Sequence, residues 1–191
     1  MSGFIAVGHF LVSLFFGLVL LLLWARMFLR YFKISPLHPV SQMINTFADP
    51  LIKPVQGLIP SDKAHPSRYD WACLAVIFIV EVIKYILLSF FLYGTMMPLT
   101  YLFVFVLADL ISQPCNLLFY LILIRVVMSW VKPDWHHPVE EVIRKITDPL
   151  LALGRYLIPD ISGFDFSPFI IMIILKAIVL FMSASLPLRL I

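Results

Sequence analysis

The chain has 191 residues, 62% of them hydrophobic and only 13% charged, with a formal net charge of +3. Soluble domains carry about 45–50% apolar and about 25% charged residues, so water could not cover this surface; disorder, which needs the opposite composition, is excluded too. These totals leave an all-α polytopic membrane protein, small enough to be a single domain.

A bilayer core about 30 Å thick needs about 20 apolar residues per helix. Phe4–Ala25 supplies the first span and ends at Arg26 and Arg30, whose long side chains can snorkel to the interface. No Lys or Arg precedes Arg26, so this run does not read as a cleavable signal. Trp71–Tyr93 is the second span despite Glu81 and Lys84, and Phe169–Leu188 the last despite Lys176. Met96–Val131 is too long for one span and short for two. Pro114, with Asp109 just before it, places the third span at Ile111–Val131. Residues 95–110 then form an extracytoplasmic hairpin or interfacial connector, and a five-span rival runs a further helix through Tyr85–Ala108.

Charge decides between them. Six of the 14 Lys and Arg residues fall in Arg26–Arg68, five in Arg125–Arg155 and none in Tyr85–Ile124. Four spans put both basic loops on one side, which the positive-inside rule makes cytoplasmic. Both termini then lie outside.

The two basic loops repeat each other. His38-Pro39-Val40, Asp49-Pro50-Leu51 and Leu58-Ile59-Pro60 recur 99 positions later as His137-Pro138-Val139, Asp148-Pro149-Leu150 and Leu157-Ile158-Pro159. Arg26 matches Arg125 at the same offset, which drops to 95 at Asp70 and Asp165 after an insertion around Lys63–Arg68. Fixed-offset self-similarity marks a duplicated unit. The expected architecture is therefore two parallel repeats, each helix–amphipathic linker–helix. Repeat 1 covers residues 1–94 with linker 30–70, and repeat 2 covers 111–191 with linker 131–167.

Each linker carries an apolar stripe at helical spacing: Ile44, Phe47, Leu51, Val55 and Leu58, then Ile143, Ile146, Leu150, Leu153 and Leu157. Such a segment beside a membrane lies in the interface, apolar side down. Asp49-Pro50 and Asp148-Pro149 read as an N-cap followed by Pro at the first helical position, dividing each linker into two short helices. Ser167-Pro168 reads as the same start signal for the last span, and the His-Pro pairs at 38 and 137 as helix starts too.

These residues resemble the YggT family, also called YlmG, of bacterial inner membranes and plastids. Asp148-Pro149-Leu150-Leu151, Leu157-Ile158-Pro159 and the run Gly163 to Pro168 with Asp165, Ser167 and Pro168 carry the resemblance, with Met128-Ser129-Trp130 and Lys84 in support. The pattern departs where a proline and an arginine follow each Asp-Pro. The first linker keeps Pro54 but has Gln56, the second has Leu153 but keeps Arg155, and the first ends Asp70-Trp71-Ala72-Cys73. The resemblance implies a multi-pass inner-membrane protein of a family associated with osmotic-stress tolerance, with genes near the cell-division cluster and, in plastids, with nucleoid distribution and cytochrome maturation. It implies an organiser or assembly factor rather than a catalyst.

The residues themselves show no catalytic constellation, no metal-ligand spacing, no cofactor motif and no CxxC pair. Charges inside spans are functional hypotheses by default, here Glu81, Lys84, Lys176 and Arg125. Glu81 and Lys84, three apart, can pair; Lys176 lacks a local carboxylate and looks to Glu81 across the bundle, while Arg125 snorkels. Two readings follow. In one, a non-enzymatic organiser uses linker residues Lys53, Arg144, Lys145 and Arg155 to meet anionic lipid and a membrane or division protein. In the other, a channel or transporter component in osmotic adaptation uses the intramembrane charges, as a homo-oligomer. Nucleic acid is not an expected partner, since the linkers lack the density of basic residues it needs.

Overall fold

The computed structural model describes residues 3–57, 70–131, 137–157 and 165–186. Among them are six α-helices: α1 (Gly3–Tyr31), α2 (Pro39–Gln56), α3 (Trp71–Tyr93), α4 (Leu99–Val131), α5 (Pro138–Leu157) and α6 (Ser167–Ala184). Four of these, α1, α3, α4 and α6, are long and apolar enough to cross a membrane. Pro60, Pro159 and the insertion around 63–68 lie outside the described residues.

Helix α3 has the expected bounds, and α1 runs on past Ala25, so Arg26 and Arg30 occupy its last turns. At the end of α3, Gly94 takes the left-handed conformation (φ 65°) that a glycine adopts without steric cost, and its N–H bonds Phe90 O. The short turn that follows sends α4 back along α3.

One correction concerns residues 95–110. They do not make a separate hairpin or connector, because Leu99–Leu110 forms the first turns of a 33-residue α4 that continues through Pro114. At about 1.5 Å per residue this helix is near 50 Å long, well beyond the hydrocarbon core. Proline costs α4 one backbone bond, whereas breaking the helix in an apolar medium would strand several polar groups. Leu102, Phe105 and Val106 also pack on Tyr85 of α3, holding the early turns in place.

A second correction concerns the linkers. Pro50, Pro54 and Pro149 lie inside continuous helices, so neither α2 nor α5 is split and neither Asp49 nor Asp148 is an N-cap. The helix starts are the His-Pro pairs: Val40 N–H donates to His38 Nδ1 (3.3 Å) and Val139 N–H to His137 Nδ1 (3.2 Å). Each expected stripe packs only in part against the bundle. In α2, Ser41, Ala48 and Ile52 are buried while Phe47 and Leu51 are exposed; in α5, Val142, Ile143, Ile146 and Leu151 are buried while Leu153 is exposed.

Packing follows the chain order. Helix α2 rests on α1 and α3, and α5 on α4 and α6. Leu23, Ile52, Val76 and Ile77 meet in one core, Ile122, Leu151, Ile171 and Met172 in another. These are the same positions at offsets of 99 and 95. A third cluster, Leu29 and Ile34 against Val142 and Ile146, joins α5 to the end of α1. Both short helices therefore sit at one end of the bundle, where His38 Nε2 lies 3.8 Å from Glu141.

Candidate functional site

Polar side chains concentrate in two places. The first lies at the end of the bundle that carries α2 and α5. Arg26 of α1 donates to Asp49 of α2, and 99 residues on, Arg125 of α4 pairs with Asp148 of α5 at 2.7 Å. Arg125 also donates to Thr147 Oγ1 (2.7 Å), whose hydroxyl in turn donates to Ile143 O. The Asp of each Asp-Pro pair thus straps a short helix to a membrane-crossing one, and Arg125 is held by Asp148 and Thr147 at this end of the bundle. Sequence reasoning missed this because Asp before Pro matches a helix start, and only a long-range partner shows otherwise.

The aspartates that do serve helix starts are Asp70 and Asp165. Asp70 Oδ1 accepts from Cys73 N–H at 3.1 Å, and Asp165 Oδ1 from Ser167 N–H at 2.9 Å, the residue before Pro168. Each also holds an arginine, but from different sources. Asp70 pairs with Arg30 of α1 at 2.7 Å and Arg26 at 3.6 Å, whereas Asp165 pairs with Arg155 of α5 at 3.0 Å. Exposure differs accordingly, at 3% of the Asp70 side chain and 35% of Asp165. Partial burial alone would raise the Asp165 carboxyl, but hydrogen bonds from Ser167 and Arg155, with the guanidinium charge, hold it below the ordinary carboxylate range.

The second place is inside the bundle. Lys84 Nζ lies 2.6 Å from Glu81 on its own helix and pairs also with Asp109 of α4. Tyr85 OH donates to Asp109 Oδ2 at 2.8 Å, and Gln113 donates to Glu81. The local pairing of Glu81 and Lys84 was legible; the α4 partners were not, although Asp109 and Gln113 stand four apart on one face of an apolar helix, which is the signal that finds them. Lys176 does not reach Glu81. Its ammonium lies 5.6 Å from the ring centroid of Phe119 instead.

Of the remaining expected linker residues, Lys53 and Lys145 are exposed and Arg144 pairs with Glu140 at 2.8 Å.

Four membrane-crossing helices, a polar cluster between two of them and two shorter helices strapped across one end define a multi-pass membrane protein. The family model described as CCB3/YggT matches residues 5–91 and 104–186, and the chain belongs to that family. Escherichia coli K12 has a relative named "Uncharacterized protein YggT", 31% identical over 169 residues, 88% of this chain and 85% of that one. A Vibrio alginolyticus relative, "Uncharacterized protein in proC 3'region", is 30% identical over 165 residues, 86% of each chain. The "Uncharacterized protein ycf19" of Galdieria sulphuraria is 29% identical over 75 residues, which are 76% of that chain and 39% of this one. No solved structure matches the chain.

Proposed function

We propose that this is a non-enzymatic protein of the bacterial cytoplasmic membrane that organises or helps to assemble other membrane components through α2 and α5. The observation carrying this reading is the pair of Arg–Asp straps, Arg26–Asp49 and Arg125–Asp148, which hold both short helices at one end of the bundle. Lys53, Arg144 and Lys145 on these helices face outward, where anionic lipid and an acidic partner surface would meet them. The chain is read as two parallel repeats, α1–α3 and α4–α6. In support, the family model matches one stretch in each half, and a relative of which 76% is matched covers only 39% of this chain.

The transport reading is not adopted. Glu81 is fully buried and the cluster's groups answer one another across a single helix pair, which suits an anchor between α3 and α4 better than a pathway. Lys84→Met is expected to lower stability, and reconstituted vesicles should show no ion flux with or without it.

The test of the main reading is crosslinking in intact membranes followed by partner identification. Replacing Lys53, Arg144 and Lys145 by Gln should remove captured proteins while insertion persists; unchanged capture would sink the reading. Topology is checked with Lys53→Cys and Lys145→Cys in a chain whose Cys73 and Cys115 are replaced by Ala. Both should label from the cytoplasmic side, and labelling from opposite sides would overturn the parallel arrangement.

A further inference from the structure

A cavity of about 300 Å³ opens between the end of α4, the last turns of α5 and the start of α6. Its polar lining is Arg125, Ser129, Trp130, Arg155 and Asp165, with Phe169 at its apolar side. The size is at the low end of ligand pockets and suits a small headgroup. The first half is built differently at this place. At the position 99 residues before Ser129 stands Arg30, and before Arg155 stands Gln56. Arg30 reaches Asp70 directly from α1; Ser129 is too short to do the same, and Arg155 of α5 reaches Asp165 instead, beside the cavity.

The charges around the cavity are balanced. Arg125 is matched by Asp148 at 2.7 Å and Arg155 by Asp165 at 3.0 Å. A purely anionic ligand that took Arg155 would leave the Asp165 carboxylate without a cation. A ligand carrying both a phosphate and an amine would exchange partners without that cost: phosphate on Arg155 and Arg125 with Ser129, ammonium on Asp165 and the exposed face of Trp130. Exposed Trp130 marks the membrane–water boundary, where headgroups lie, and exposed Phe169 leads on to the apolar surface of α6.

We infer that this cavity is a binding site for a zwitterionic phosphoethanolamine-type headgroup, with the lipid's acyl chains lying along α6. The inference rests on the reading that places α2 and α5 at the membrane interface, and it names the lipid that this end of the protein holds specifically.

The test uses the full chain purified in mild detergent, with bound phospholipid read by native mass spectrometry. Phosphatidylethanolamine, phosphatidylcholine and phosphatidylglycerol vesicles are supplied in turn. One phosphatidylethanolamine should be retained in preference to the other two, since a quaternary ammonium cannot donate a hydrogen bond to Asp165 and glycerol carries no cation. The double variant Ser129→Arg, Arg155→Gln installs the arrangement that the first half already folds with, so it keeps the bundle. It should hold the lipid about tenfold more weakly, the loss of roughly one charge-assisted hydrogen bond. Equal retention by the double variant, or a preference for phosphatidylglycerol, would overturn the inference. Soluble glycerophosphoethanolamine competing as well as the lipid would overturn the assignment to a membrane lipid. Protein capture is measured on the wild-type chain and on the same double variant: capture by the wild-type chain together with equal lipid retention in both would overturn the pocket and leave the broader reading standing, whereas no capture by the wild-type chain would tell against the broader reading.

Discussion

The ends of the two halves hold matching aspartates with arginines of different origin. Around Asp70 both arginines come from α1, a membrane-crossing helix, and the carboxylate is 3% exposed. Around Asp165 the arginine comes from α5, and the carboxylate is 35% exposed. With its guanidinium supplied by the long helix the carboxylate is buried; with the guanidinium supplied by the short helix it lies partly exposed beside a cavity. The same local charge pair therefore stands in two different surroundings, buried in one half and beside an open cavity in the other.

The largest way to test that contrast is to remove the arginine that each half keeps in common. Arg26→Met removes the cation of the Asp49 strap and the second of the two arginines around buried Asp70, which keeps Arg30 at 2.7 Å, and it should cost about 1.5–3 kcal/mol of unfolding free energy. Arg125→Met, whose partner Asp148 is largely exposed, should cost only about 1 kcal/mol. Comparable losses in detergent unfolding would show the halves to be energetically alike and break the comparison.

A smaller effect is expected where α5 crosses α6. A Cβ at Gly154 would stand 2.9 Å from Ser167 Cβ and 3.1 Å from Ser167 O, so backbone has to move. Gly154→Val should cost about 1–3 kcal/mol by overpacking. The position 99 residues earlier is Val55, and Val55→Gly should cost about 1 kcal/mol through helix propensity and lost packing. Thermal unfolding of both variants sharpens the comparison, because it reports how closely each short helix approaches its neighbour.

The smallest effect is the pH response of Asp165. Its folded carboxyl titrates below its unfolded one, so its contribution is complete above the ordinary carboxylate range and is lost as pH falls through the folded value. Because the group is partly exposed, the contribution is below about 1 kcal/mol. Protection factors in the last turns of α5, with the intrinsic pH dependence of amide exchange divided out, should fall as the medium is acidified, and Asp165→Asn should flatten that response. A wild-type response identical to that of the variant would show that the Arg155 strap adds nothing.

Hydropathy made the four spans legible because lipid solvation writes itself along the chain, and matching at a fixed offset picked out the same residue types in the two linkers. Arginine distribution likewise placed both linkers at one end. What stayed hidden was every feature settled between distant helices. Pro114 and Asp109 look like a boundary until Lys84 and Tyr85 are set beside them. Asp49 and Asp148 look like caps until Arg26 and Arg125 reach them. Phe47 stands in the stripe, but periodicity gives a face and not its neighbour, and it is Ala48 and Ile52 that α2 packs against the bundle.

The cluster joining α3 to α4 bears on how the chain enters the bilayer during synthesis. Helix α3 emerges first with Glu81 and Lys84 neutralising each other, so it can wait in lipid unaided. Asp109 follows Lys84 by 25 residues, a delay of seconds at about 5–20 residues per second. It arrives on α4 as a carboxylate whose ammonium is already in place on the waiting helix. Chain order alone thus sets the ammonium of Lys84 in the chain before the carboxylate that pairs with it on α4.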